Sequence, residues 1–226
     1  MYLQTSVGMK KQQVKDFEQY KFNDVTAAFF FDADQDGDMD LFVGGGGNFV
    51  PASADMYQNQ LYLNNGKGTF TLKSGAFLIS HTNCGVAIPL DYDQDGKLDI
   101  FIGSRSTPQQ YGVAPASFLY HNEGNGAFKE VSASVAPFLA NLGMITGAVY
   151  ANVLGDSKSE LVIVGEWMYP HVYQYNGKQF LEQKSGLEDQ YGWWQTVVAE
   201  DLDKDGVLDY RDWETDRKST RLNSSH

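Results

Sequence analysis

The 226-residue chain has one cysteine, Cys84, so no internal disulfide can form. A lone cysteine of this kind is most often a small packed core residue. No apolar run approaches the roughly 18 residues that a membrane-spanning helix needs, and no signal peptide is visible. Basic residues are scarce: 17 Lys and Arg stand against 29 Asp and Glu, a formal net charge of −12. No basic patch or base-stacking platform stands out, which argues against nucleic-acid binding. The histidines, His81, His121, His171 and His226, are scattered, and His121 reads as a surface residue of a hairpin strand. No Ser-His-Asp order, zinc-ligand cluster or phosphate loop is present. Gly44 to Gly47 follow a strand pattern but lead into no helix pattern. Glu166, Glu188 and Asp189 show no acid–base pairing, so no catalytic residue is assigned and the chain reads as a non-enzyme.

The acids themselves are concentrated. A nine-residue pattern, Asp-x-Asp-x-Asp-Gly-x-x-Asp, occurs three times, at 32–40, 91–99 and 201–209. Carboxylates at positions 1, 3, 5 and 9 around a glycine at 6 form a calcium cage, because calcium is a hard cation taking six to eight oxygens and the glycine allows the sharp turn. The assigned metal positions are Asp32, Asp34, Asp36, Asp38 and Asp40, then Asp91, Asp93, Asp95, Lys97 and Asp99, and finally Asp201, Asp203, Asp205, Val207 and Asp209. Position 7 is Asp38, Lys97 or Val207. These are not EF-hands: position 12 is Val43, Ile102 or Asp212 rather than a bidentate Glu. Three bound Ca²⁺ would cancel half of the net charge. Loose loops of this kind bind calcium at about 10⁻⁴–10⁻³ M, the range of extracellular modules, so an extracellular or cell-surface location is expected.

Short runs rich in β-branched and aromatic residues flank each loop, and these read as strands. Each exit strand is followed by a connector and then a hairpin: 60–72 around Asn64-Asn65-Gly66, 118–131 around Asn122-Glu123-Gly124-Asn125-Gly126, and 171–181 around Asn176-Gly177. Asn-Gly between alternating strands is a strong hairpin signal. A degenerate loop is expected at 152–160, where Leu154 replaces the position-3 carboxylate and Ser157 the glycine. It should keep the turn and lose the ion. Four-stranded units at a period of about 50–60 residues read as β-propeller blades.

The fold class is thus all-β: a partial β-propeller of four-stranded blades with a calcium loop between strands 1 and 2. The expected organisation is the last strand of a preceding blade and its connector at 1–25, blades at 26–84, 85–145 and 146–194, and a truncated blade at 195–210. Propellers close with four to eight blades, so neighbouring blades are expected to be missing and the chain to be a fragment. Residues 216–226 can be encoded by a string resembling a common sequencing-library adapter. Residues 211–226 are therefore expected to be an assembly artefact, the more so because no strand pattern follows Tyr210.

In such a blade the connectors between strands 2 and 3 lie on the face opposite the calcium loops. They carry Asn48, Phe49, Tyr57, Arg105, Tyr111, Trp167 and Tyr169 as candidate ligand-binding residues, since long loops on a rigid scaffold are the default recognition surface. Trp193 and Trp194 begin the last unit, and one of them is expected to pack between blades.

The segments Asp40-Leu41-Phe42-Val43-Gly44-Gly45, Leu142-Gly143-Met144-Ile145-Thr146, Val164-Gly165-Glu166-Trp167-Met168 and Gly192-Trp193-Trp194, together with the loops and hairpins, resemble the FG-GAP/VCBS repeat family. These are calcium-loop β-propellers found in integrin α-subunits and many secreted bacterial proteins. The resemblance is closer to bacterial VCBS-repeat proteins of the ASPIC/UnbV-associated type, although no ASPIC/UnbV module is present. It implies export and binding or adhesion toward a protein or glycan, with calcium structural. Alternatives are a propeller-type sugar-active enzyme (lyase or dehydratase) and a passive scaffold for a separate module.

Overall fold

The computed structural model describes residues 2–5, 7–11, 14–47, 51, 55–201 and 209–212, of which 2–5, 10, 11, 55 and 209–212 are described by their backbone. The chain opens with a hairpin, β1 (Tyr2–Thr5) and β2 (Gly8–Lys11), followed by a 3-10 turn at Lys15–Tyr20. The expected single leading strand is therefore a pair. Three sheets follow, each antiparallel and each in sequence order. The first holds β3 (Asp24–Phe31), β4 (Asp40–Gly46), β5 (Gln60–Asn64) and β6 (Phe70–Leu72). The second holds β7 (Asn83–Leu90), β8 (Asp99–Ser106), β9 (Phe118–Gly124) and β10 (Ala127–Glu130). A short helix, α1 (Ser132–Val135), leads to the third sheet, β11 (Met144–Ala151), β12 (Glu160–Met168), β13 (His171–Tyr175) and β14 (Phe180–Glu182). A two-residue strand, β15 (Gly192–Trp193), adds to the far end of β12. The chain then forms β16 (Val197–Glu200), paired with β17 (Asp209–Asp212). That strand runs past Tyr210, where the sequence shows no strand pattern. Ladder pairing uses the backbone, so Arg211 and Asp212 serve despite their polarity.

Each sheet is a blade that buries its faces against the next. Phe31, Phe42, Leu61, Phe77, Ile100 and Tyr120 fill the space between the first and second sheets. Leu90, Phe101, Leu119, Leu161, Ile163 and Tyr173 fill that between the second and third. Val162, Val164, Trp194 and Val197 continue the stack toward β16. The first strands lie side by side: β3 touches β7, β7 touches β11, and β11 touches β16. Cys84 lies in the first of these layers, 2 % exposed.

The innermost strands share an irregularity that alternation of residue types does not reveal. The register skips one residue in each: Val25 pairs with Gly45 and Ala27 with Gly44, Cys84 with Ser104 and Val86 with Gly103, Ile145 with Gly165 and Gly147 with Val164. The bulged residues are Thr26, Gly85 and Thr146, six positions before each loop. A bulge re-aims its residue, and here it aims at the next blade. The Thr26 hydroxyl donates to the Cys84 carbonyl at 2.6 Å, and the Thr146 hydroxyl donates to the Trp194 carbonyl at 2.6 Å. At Gly85 a Cβ would stand 2.2 Å from the Ile145 carbonyl oxygen, so only glycine fits there.

Candidate functional site

Two sites occupy opposite ends of the strands. The first is the set of acidic loops joining β3 to β4 and β7 to β8. The loop backbone is left-handed at position 4, Gln35 (φ 66°) and Gln94 (φ 62°), and at position 6, Gly37 (φ 91°) and Gly96 (φ 84°). This turn draws the carboxylates inward. Asp32 accepts from the Gln35 and Gly37 amides at 2.8 and 3.1 Å, and Asp91 accepts from the Asp95 and Gly96 amides at 3.1 and 3.0 Å. Carboxylate oxygens of Asp32, Asp34 and Asp36 lie within 4.8 Å of one another, as do those of Asp91, Asp93 and Asp95.

Position 9 behaves differently. Asp40 and Asp99 are fully buried. Each bridges its own loop to the following hairpin: Asp40 accepts from the Ala33 and Asn64 amides at 2.8 and 2.7 Å, Asp99 from the Tyr92 and Asn122 amides at 3.4 and 2.7 Å. Each oxygen has a second lone pair to offer a cation.

Burial, and then the neighbouring Asp36 and Asp32, raise the Asp34 carboxyl above its ordinary value. Burial raises Asp40 and Asp99 as well. Asp38 Oδ1 is shut from solvent without a hydrogen-bond partner among the described residues. Crowded, partly desolvated carboxylates favour protonation unless a cation balances them. The residues present fit a hard divalent ion at both loops.

The two loops are not equivalent. Lys97 at position 7 pairs with Asp95 in the second, where the first has Asp38. His121, read from the sequence as a surface residue, comes beside the second loop, with Nδ1 3.1 Å from Asp99 and 3.6 Å from Asp93. The register places Leu63 at the corresponding point of the first blade, so no repeat signal marks this histidine.

The loop at 152–160 retains much of the turn. Asn152 accepts from the Gly155 amide at 3.0 Å, Gly155 is left-handed at position 4 (φ 73°), and buried Glu160 accepts from the Val153 amide at 2.9 Å. In the loop at 201–209, residues 202–208 with Asp203, Asp205 and Val207 lie outside the described residues. Asp201 is described, and Asp209 takes part in β17.

The second site lies at the other end of the strands. Glu160 and Met168 terminate β12, about 26 Å apart at ~3.3 Å per residue. Three of the candidate residues meet here. Arg105, expected on the connector, lies near the end of β8 itself and donates through Nε and Nη2 to Glu166 Oε1 at 2.8 and 2.6 Å. The Tyr111 hydroxyl donates to Glu166 Oε2 at 2.5 Å, which raises its pKa. The Glu166 side chain is wholly buried, so it anchors both partners across two blades.

Next to it, Trp167 is held with φ 57° and is 56 % exposed. A bulky non-glycine residue in that region costs on the order of 1–3 kcal/mol. Its ring contacts Tyr111 at 5.7 Å and Trp193 at 5.5 Å, with interplanar angles of 66° and 57°. Tyr169 packs on Tyr191 at 5.3 Å, and its hydroxyl donates to Glu182 at 2.9 Å.

The paired tryptophans divide their roles. Trp194 is buried, its indole donating to the Met168 carbonyl at 2.9 Å, while Trp193 is exposed. Tyr57 is a correction: it is 1 % exposed, and its carbonyl accepts from Ser80 at 3.2 Å, so it belongs to the core. Its main chain packs closely on Gly45, where a Cβ would stand 2.7 Å from the Tyr57 carbonyl carbon. Asn48 and Phe49 lie outside the described residues.

Stacked four-stranded antiparallel blades with acidic loops between their first two strands define a β-propeller type of repeat protein in partial form. Within that class the chain belongs to the FG-GAP-like repeat family, whose model matches residues 32–102 and 152–210. The matched segments contain all three acidic loops and the degenerate one. No curated protein matches the chain.

Proposed function

We propose that this chain is part of a secreted or cell-surface calcium-binding propeller module that binds a protein or glycan through the connector face. The observation that carries this reading is the exposed ring group of Tyr111, Trp167 and Trp193, beside the Arg105–Glu166 pair with its buried carboxylate, at the end of the blades remote from the acidic loops. Exposed aromatic clusters on a rigid scaffold mark interaction sites. Both Glu166 oxygens are engaged by Arg105 and Tyr111, so we read this carboxylate as an anchor and assign no catalysis. The Gly165-Glu166-Trp167-Met168 and Gly192-Trp193-Trp194 segments support the bacterial VCBS-repeat subtype of the ASPIC/UnbV-associated kind.

Calcium is structural in this account. Asp32, Asp34, Asp36, Asp38 and Asp40 would hold one ion, Asp91, Asp93, Asp95, the Lys97 carbonyl and Asp99 a second, and the 201–209 loop a third. The ion supplies positive charge that cancels carboxylate repulsion and pins the turn. Weak loops of this kind fill only at the calcium levels found outside cells.

The test is retention of the 226-residue chain, in 2 mM calcium, on two immobilised panels, one of polysaccharides and one of extracellular-matrix proteins. Retention on either that is lost in Trp167→Ala is expected. No retention on both, or retention indifferent to Trp167, would overturn the reading.

A further inference from the structure

We infer that the aromatic corner built by Tyr111, Trp167 and Trp193 is a subsite for a neutral oligosaccharide. This rests on the recognition-face reading above and names its ligand class. The three rings are 57, 56 and 48 % exposed, and they come from two different blades. Their planes meet at 66° and 57°, forming walls rather than one flat plate. The local charge is balanced, because the Arg105 guanidinium faces the buried Glu166 carboxylate at 2.6 Å. Among the described residues, a free charge that would select a phosphate or a polyanion is missing from this group.

What the corner does offer is aromatic faces beside N–H donors. Arg105 carries five N–H groups; Nε and Nη2 meet Glu166, and its side chain is 48 % exposed. Rings beside donors complement a pyranose, which has an apolar C–H face and a rim of hydroxyl oxygens. The surface continues along the β12–β15 ladder, where Met168 pairs with Gly192, to the Tyr169–Tyr191 pair, with Tyr191 69 % exposed. A second ring pair one ladder step away suits a ligand longer than one sugar unit.

The backbone of Trp167 supplies a way to separate binding from folding. Its left-handed φ of 57° suits glycine better than tryptophan. Trp167→Gly is therefore expected to melt no lower than the parent while losing the ligand.

The experiment is affinity electrophoresis of the full chain in 2 mM calcium through native gels containing xyloglucan, galactomannan, hydroxyethyl cellulose or polygalacturonate. The expected result is retardation in at least one neutral gel, weakened at least tenfold in Trp167→Gly and Trp193→Ala, with little retardation in polygalacturonate. Free migration in all neutral gels, or retardation confined to polygalacturonate, would overturn the assignment. Trp167-dependent retention on the protein panel together with free migration in every gel would remove the saccharide while leaving the recognition face. Loss of Trp167 dependence everywhere would remove both.

Discussion

Asn122 donates its side-chain amide to the carbonyl of Ala33 at 3.0 Å, joining the second blade's hairpin to the first blade's acidic loop across 89 positions of sequence. The same nitrogen donates to the Leu98 carbonyl of its own loop at 3.0 Å, and the side-chain oxygen accepts from the Gly124 amide at 2.8 Å. The loops are thus part of the contact between blades, and what happens to one loop is felt in the next blade.

Replacing Asn122 by alanine strands two carbonyls in a fully buried site. Leaving buried groups unpaired costs about 1–3 kcal/mol. Asn122→Ala is expected to lower Tm by several degrees in calorimetry, with single-transition unfolding retained. An unchanged Tm would show that these bonds are replaced at no cost.

Cys84 should be chemically silent in the native state. Burial pushes its thiol up to about 12, against an ordinary value of 9.0. A folded-state value raised above the unfolded one favours folding below about pH 9 and loses that contribution as pH climbs toward 12. Labelling with a disulfide reagent at pH 8 is expected only at the rate of unfolding, and stability is expected to fall as pH rises above about 9. Rapid labelling in native buffer would contradict the packing described.

Gly85 faces the Ile145 carbonyl where its counterparts Thr26 and Thr146 carry hydroxyls. Gly85→Ala is expected to destabilise by about 1–3 kcal/mol, the usual cost of overpacking a rigid contact. A neutral effect in denaturant titration would mean that the blades slide apart without penalty.

Glu166→Gln removes the charge that Arg105 and Tyr111 share. The Tyr111 hydroxyl, raised chiefly by its hydrogen bond to this carboxylate, is expected to ionise at lower pH in the variant. Carbon-13 tyrosine NMR would follow it, and an unmoved Tyr111 titration would break the proposed anchor.

Much of this architecture is legible in the residues. Five acids around Gly37 and four around Gly96, flanked by apolar runs, announce the loop and both its strands. Asn125 shows the turn chemistry at work, with its left-handed backbone (φ 55°) between β9 and β10. What escapes is anything set by a neighbour distant in sequence. His121 alternates like a surface residue, yet the fold brings it to Asp99. Tyr57 and Tyr111 occupy similar long connectors, but the fold buries the first and leaves the second exposed beside Glu166. The bulges at Thr26, Gly85 and Thr146 leave no mark on alternation, since a skipped residue shows only in the partner strand. Trp193 and Trp194 are identical as letters; the pairing of β15 with β12 decides which one turns outward.

The most direct test is thermal unfolding of the parent chain, Asp34→Ala and Asp93→Ala, each in EDTA and in millimolar calcium. At calcium ten times Kd, one site contributes roughly 1.4 kcal/mol. Calcium is expected to raise the parent Tm by several degrees and each variant to lose much of that gain, with little penalty in EDTA. A parent Tm indifferent to calcium, or variants equally destabilised in EDTA, would contradict structural calcium in these loops.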